Sequence, residues 1–138
     1  MSSSAPIEFP QLTKEPIRVL VADDSPSMRK IIRSFLEELP HVEICGVAAN
    51  GTEAADAARA LEPDLLILDV VMPGLSGVEV ASVVKKILPR AKVILFTMYE
   101  EKVGRTLAKS AGVDIVLAKT GGLAALSEKI NCVIEEMS

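Results

Sequence analysis

Aromatic residues and basic clusters are scarce in this 138-residue chain, and their scarcity excludes several functions. The sequence has three Phe, one Tyr and no Trp, so it lacks the aromatic platforms on which proteins stack nucleic-acid bases. Its 15 Lys and Arg residues are scattered and outnumbered by 19 Asp and Glu residues, which leaves a net charge of -4 and no basic stripe. We therefore expect no direct binding of nucleic acid.

Histidine and cysteine are also rare. His41 is the only histidine, so catalysis by a Ser-His or Cys-His pair has little support, and its place in a loop after Pro40 favours a surface role. The two cysteines, Cys45 and Cys132, are too few for a disulfide framework and too scattered for a zinc site. We predict that both are buried thiols in a reducing compartment.

Long apolar runs are absent as well. No segment approaches the roughly 18 consecutive apolar residues of a membrane span, and residues 1–15 lack the basic start and apolar run of a signal peptide. We therefore expect a cytoplasmic protein without a membrane partner. Residues 1–15 are rich in Ser and Pro and are predicted to be a disordered N-terminal leader, so residues 16–138 form the folded domain.

Short apolar segments alternate with helical patterns from Ile17 onward. The predicted strands are Ile17–Ala22, Glu43–Ala48, Leu65–Asp69, Lys92–Thr97 and Asp114–Ala118. The predicted helices start after Ser25-Pro26, run from Gly51 to Leu61, follow Gly77, run from Glu100 to Ala111, and follow strand five. With right-handed crossovers, this order predicts an α/β, doubly wound (βα)5 fold, a flavodoxin-like three-layer sandwich with parallel sheet order 2-1-3-4-5.

Polar residues follow four of the five predicted strands. Strand one ends in Asp23-Asp24, strand three in Asp69, strand four in Thr97 and strand five in Lys119. Strand two, which ends in alanines, lies at an edge in this sheet order, so the four polar strand ends are contiguous and can converge on one crevice. Each residue alone could be an ordinary cap, turn or surface residue, but their joint occurrence favours a shared site.

The types of residue at this rim indicate a particular chemistry. Three carboxylates repel one another, and Mg²⁺, or Mn²⁺ in its place, relieves that repulsion because it prefers oxygen ligands. An aspartate held there can attack a phosphoryl group in line and form an acyl phosphate. We therefore predict a metal site at Asp23, Asp24 and Asp69, with Asp69 as phosphoacceptor, Lys119 as counter-charge and Thr97 as hydrogen-bond donor.

From Ile17 to Met137, the chain resembles the receiver domain of two-component response regulators. The resemblance rests on Asp23-Asp24-Ser25, on Leu-Asp-Val-Val-Met-Pro-Gly-Leu-Ser-Gly at residues 68–77, on Thr97 and on Lys119. It implies phosphotransfer to Asp69 from a sensor histidine kinase or a histidine phosphotransfer protein. It also implies that Mg²⁺ is held by Asp24, Asp69 and the main-chain carbonyl of Val71, and by Asp23 through water.

The resemblance further implies a switch, in which phosphorylation draws Thr97 inward and remodels the face of helix four, strand five and helix five for a downstream protein target. A monomer or a phosphorylation-dependent dimer through this face is expected, with Lys102, Arg105 and Lys109 as candidate docking residues. Two departures from the family are visible: Val116 replaces the usual aromatic residue, and Thr120 replaces a proline that is often cis. A trans bond or a different loop is therefore expected after Lys119.

Competing functions remain open. The main interpretation is a stand-alone, chemotaxis-receiver-like module that assists its own phosphorylation and dephosphorylation but is not a turnover enzyme. A fragment of a longer regulator is the alternative to the stand-alone module. A Mg²⁺-dependent aspartyl-phosphate phosphatase or phosphotransferase would normally carry a second carboxylate two residues after Asp69, where this chain has Val71. A flavin or nucleotide carrier would want a glycine-rich first loop. A docking module that works without phosphorylation is the last alternative.

Overall fold

The computed structural model describes residues 16–98 and 105–137. The predicted leader, residues 1–15, lies outside the described residues, and so does the beginning of the predicted fourth helix. Within the described residues, no helix is both long and apolar enough to cross a membrane.

The sheet has five parallel strands in the order β2-β1-β3-β4-β5, as predicted. The strands are β1 (Ile17–Ala22), β2 (Val42–Ala48), β3 (Leu65–Leu68), β4 (Lys92–Thr97) and β5 (Ile115–Ala118). The bounds of β1 and β4 match the prediction, whereas β2 begins one residue earlier and β5 one residue later. Asp69 lies just beyond β3 rather than at its end. Its amide still donates a hydrogen bond to the carbonyl oxygen of Ala22 in β1, but the chain turns directly afterwards.

Helices cover both faces of the sheet. They are α1 (Pro26–Glu37), α2 (Gly51–Leu61), α3 (Gly77–Ile87), α4 (Arg105–Ser110) and α5 (Gly122–Met137), and a 3-10 turn (Lys119–Gly121) joins β5 to α5. Alternate residues of each strand point to opposite faces, so two apolar clusters form. One cluster joins the sheet to α1 and α5, and the other joins it to α2, α3 and α4.

The helix starts follow the signals in the sequence. Ser25 caps α1 by accepting a hydrogen bond of 3.2 Å from the amide of Met28, and Pro26 occupies the first helical position. Asn50 caps α2 by accepting a bond from the amide of Glu53. Ser76 begins α3 with a reciprocal capping box. These caps fix where the chain leaves the ends of β1, β2 and β3.

Several expectations require correction. Cys132 is exposed on α5 and Cys45 is only partly buried, so the prediction of two buried thiols is wrong. The fourth helix ends at Ser110 rather than Ala111, and its described part begins at Arg105. The bond between Lys119 and Thr120 needs no correction: it is trans, as was expected there, since the described residues contain no cis peptide bond. A 3-10 turn begins at Lys119.

Truncation of a buried side chain in the central strand, β3, should cause a large loss of stability. Leu66 of β3 is fully buried, so Leu66→Ala should lower the free energy of unfolding by about 2–5 kcal/mol through lost burial and a cavity. Leu107 on α4 is 57% exposed, so Leu107→Ala should change the free energy of unfolding by no more than about 0.5 kcal/mol. Urea unfolding followed by circular dichroism measures both; equal losses would contradict the assigned core.

Candidate functional site

Three carboxylates gather at the carboxyl ends of β1 and β3. These strands are neighbours, Ala22 pairs with Leu68, and the amide of Asp69 donates a hydrogen bond of 2.9 Å to the carbonyl oxygen of Ala22. The residues that follow the two strands therefore emerge side by side. One oxygen from each of Asp23, Asp24 and Asp69 lies within 4.8 Å of the others.

Lys119 bridges two of these carboxylates. Its Nζ lies 2.6 Å from Oδ2 of Asp23 and 3.2 Å from Oδ2 of Asp69, and only 7% of its side chain is exposed. Asp23 is 1% exposed and Asp69 8% exposed, so both acids depend on this ammonium for compensation of their buried charge. Four of the five residues predicted from the strand ends thus lie in one cluster.

The environment shifts the pKa values of both partners. Burial raises the pKa of the Asp69 carboxyl, the charge of Lys119 lowers it and the charge of Asp23 raises it, so the pKa lies above its ordinary value. Burial lowers the pKa of the Lys119 ammonium, but the hydrogen bonds and charges of Asp23 and Asp69 outweigh burial and raise the pKa. Lys119 is therefore fully charged at neutral pH and favours the ionised form of Asp69.

Main-chain amides hold the remaining oxygens of the two buried acids. The amide of Val70 donates a bond of 2.8 Å to Oδ1 of Asp69, and the amide of Ser25 donates one of 2.9 Å to Oδ1 of Asp23. Asp24 is exposed instead. Arg29, which is not among the residues predicted from the sequence, donates a bond of 2.7 Å from its guanidinium to the main-chain oxygen of Asp23.

Thr97 and Val71 lie on the remaining sides of the predicted site. Thr97 is the last residue of β4, is fully buried, and pairs with Ala118, the residue before Lys119. The strand register thus brings it to the same edge of the sheet as the acids. Val71 follows Asp69 by two positions, and 52% of its surface is exposed.

The loop after β3 is fixed by close backbone contacts. The amide of Gly77 donates a hydrogen bond of 2.9 Å to the carbonyl oxygen of Val70, and a Cβ at Gly77 would lie only 2.2 Å from the carbonyl oxygen of Asp69. No side chain fits there without moving the backbone of Asp69. Gly74 adopts a φ of 78°, which glycine tolerates best, and this turn returns the chain to α3.

The donor set fits a divalent cation that prefers oxygen. Three carboxylates gather around one ammonium, which contacts only two of them, and the acids already lie close enough to share one ion. Such a site suits Mg²⁺ or Mn²⁺, which bind through carboxylates, carbonyl oxygens and water. The acidic group is therefore a candidate metal centre next to a fixed lysine.

Comparison with known proteins identifies the family. The family model described as "Response regulator receiver domain" matches residues 19–131 of the chain. The chain belongs to the response regulator receiver domain family. The receiver is also similar to the response regulator domain of CheB from Thermotoga maritima, with a TM-score of 0.78 and 28% identity over 88% of this chain and 96% of that one.

Two further relatives are response regulators, one of which is described as DNA-binding. It is 36% identical to the response regulator protein VraR of Staphylococcus saprophyticus, over 83% of this chain and 55% of VraR. It is 27% identical, with a TM-score of 0.79, to a "DNA-binding response regulator, LuxR family" of Staphylococcus aureus, over 85% of this chain and 98% of that one. The receiver thus spans about half the length of the curated relative, and the expectation of no nucleic-acid partner gains no support from these names.

Removal of the bridging ammonium should shift the titration of Asp69. In Lys119→Met, the charge that lowers the pKa of Asp69 is lost, so that pKa should rise further, as measured by NMR of the carboxyl carbon. The free energy of unfolding at neutral pH should fall by about 3–5 kcal/mol because two buried acids lose their counter-charge. The loss should shrink as the pH falls through the pKa of Asp69, since protonation removes the uncompensated charge.

Lys92→Met provides the matched control. Lys92 pairs with Glu136 at 3.6 Å, and both side chains are substantially exposed, so this variant should lose at most about 1 kcal/mol. An Asp69 titration that is the same in Lys119→Met as in the wild type would mean that the ammonium does not control this carboxyl.

Proposed function

We propose that this receiver accepts a phosphoryl group on Asp69 from a sensor histidine kinase or a histidine phosphotransfer protein, with Mg²⁺ bound at the acid cluster. The observation that carries the proposal is the contact of the Lys119 ammonium with both Asp23 and Asp69 beside a third carboxylate. We further propose that the domain assists its own phosphorylation and dephosphorylation and is not a turnover enzyme.

The transfer step can be written for these atoms. A carboxylate oxygen of Asp69 attacks the phosphorus of an N-phosphohistidine, so an O–P bond forms while the N–P bond breaks. The electron pair of the broken bond stays on the imidazole nitrogen, and the product is an aspartyl phosphate. The attacking group must be ionised, and the charge of Lys119 favours that form against the effect of burial.

The other side chains of the cluster then act on the transferred group. The Lys119 ammonium already contacts the carboxylate of Asp69, so it can contact the phosphoryl oxygens and stabilise their negative charge after the transfer. Thr97 is proposed to donate its hydroxyl to a phosphoryl oxygen from the end of β4. Asp23, Asp24, Asp69 and the main-chain carbonyl of Val71 would hold Mg²⁺, which supplies charge neutralisation to the phosphoryl oxygens when bound.

We propose that phosphorylation changes the surface formed by α4, β5 and α5, and that a downstream protein target or a second receiver binds there. Two observations support this choice: Leu107 is 57% exposed and Lys109 is exposed on α4. Val116, in place of the family's aromatic residue, is half-buried and packs on the apolar cluster beneath α4. Lys102 and the side chain of Arg105 lie outside the described residues.

Substitution of the acceptor tests the central step. Asp69→Asn should abolish the gain of one phosphoryl group from acetyl phosphate, measured by intact-protein mass spectrometry, because an amide oxygen is a poor nucleophile. Chelation of the metal should abolish the same gain in the wild type. Asp56→Asn is the matched control, since Asp56 is an exposed residue of α2, and it should be phosphorylated like the wild type. Persistent phosphorylation of Asp69→Asn would exclude Asp69 as acceptor.

Thr97→Ala separates acceptance of the phosphoryl group from the switch. This variant should still gain the phosphoryl group but should lose most of the amide shift changes in α4 and β5 that beryllofluoride and Mg²⁺ induce in the wild type. Thr52→Ala, which alters an exposed threonine of α2, should respond like the wild type. A full response in Thr97→Ala would show that the hydroxyl plays no part in transmission.

A further inference from the structure

Arg29 contacts the loop of the acid cluster from the side of α1. It is the fourth residue of that helix and is half-buried, and its Nη1 donates a hydrogen bond of 2.7 Å to the main-chain oxygen of Asp23. Its own amide donates a bond of 3.0 Å to the carbonyl oxygen of Ser25, which ties it into the first turn. The guanidinium therefore reaches back from a regular helix onto the loop that carries Asp23 and Asp24.

The carbonyl that Arg29 holds belongs to the peptide unit between Asp23 and Asp24. Because a peptide unit is planar, the direction of this carbonyl also sets the direction of the Asp24 amide and the position of the Asp24 Cα. The amide of Asp23 is held on the other side by a bond of 3.2 Å to the carbonyl oxygen of Ala48. Arg29 thus completes the fixation of this turn.

Asp24 depends on that fixation more than the other two acids do. Asp23 and Asp69 each accept hydrogen bonds on both carboxylate oxygens. The carboxylate of Asp24 is exposed and accepts no hydrogen bond from residues 16–98 or 105–137. Nevertheless, one of its oxygens lies within 4.8 Å of the other acids, so its place in the cluster follows from its backbone.

We propose that Arg29 is a positioning residue for cation binding, which aims Asp24 at the shared ion by holding the peptide unit between Asp23 and Asp24. The inference rests on the proposed function, in which the acid cluster binds Mg²⁺. Groups that orient metal ligands from outside the ligand set commonly contribute to metal affinity, and a hydrogen bond from a guanidinium is a strong one.

The charge of Arg29 and its hydrogen bond have opposite effects on the affinity of the cluster for Mg²⁺. A guanidinium near the cluster repels an arriving cation, so loss of the charge alone would tighten Mg²⁺ binding. Loss of the orientation of Asp24 would weaken it. The sign of the change in affinity therefore distinguishes the two effects.

The experiment compares Arg29→Gln, Arg29→Lys and Lys30→Gln in the full chain, with Mn²⁺ binding measured by electron paramagnetic resonance and Mg²⁺ by competition. Arg29→Gln should raise the Kd by about ten- to hundredfold. Arg29→Lys should recover part of the affinity, because an ammonium can donate to the same carbonyl. Lys30, an exposed neighbour on the same helix, supplies the control, since Lys30→Gln removes an equal charge and should leave the Kd close to that of the wild type.

A double-mutant comparison tests whether Arg29 acts through Asp24. In an Asp24→Asn background, Arg29→Gln should add little to the loss of affinity, whereas independent effects would multiply. The amide of Ser25 should exchange faster with solvent in Arg29→Gln even without metal, which is a readout independent of binding. Where Arg29→Gln is not folded by circular dichroism, Arg29→Met, which keeps the aliphatic stem, takes its place under the same criteria.

The outcomes separate the two proposals. If the wild type binds neither Mn²⁺ nor Mg²⁺, the proposed function fails and this inference fails with it. If the wild type binds the ions and Arg29→Gln binds them equally well or more tightly, the positioning role is wrong while the proposed function stands. Equal weakening by Lys30→Gln would also overturn the positioning role, because it would show that the weakening does not depend on the contact between Arg29 and the main-chain oxygen of Asp23.

Discussion

The contact of one lysine ammonium with two buried carboxylates is the constraint on which the rest of the site depends. Neighbouring strands lie about 4.8 Å apart, and β4 separates β5 from β3, so the side chains of Lys119 and Asp69 and the contact between them must together span roughly 10 Å. A side chain with a long flexible stem is required for this reach. Without it, Asp23 and Asp69 would be two like charges held near one another with little water to screen them.

The sheet order explains why these residues meet. The carboxyl ends of β1, β3, β4 and β5 are contiguous, whereas β2, which carries no polar residue at its end, occupies the edge. The site is therefore a property of the strand order, and its polar side chains all lie within the first two residues after a strand or at the end of one: Asp23, Asp24, Asp69, Thr97 and Lys119.

Much of this site can be predicted from the sequence because strand ends carry strong local signals. Apolar runs precede Asp23, Asp69 and Lys119, and turn or cap residues follow them. These patterns predict where each strand ends and at which edge of the sheet that end lies. Arg29 is harder to predict, because its contact is made to a main-chain atom and leaves no pairing of side chains to detect. The exposure of Cys132 is missed for a related reason, since a helix period alone does not say how wide the buried stripe of α5 is.

The sheet also separates two apolar clusters, one on each of its faces. The apolar cluster beneath α1 and α5 and the cluster beneath α2, α3 and α4 draw on alternate residues of the same strands, and among residues 16–98 and 105–137 they share no side chain. Rearrangement on one side can therefore proceed while the packing on the other is retained. Chimeras that exchange one helical layer between receivers, with the strands left intact, should inherit the interior of each parent as an independent block.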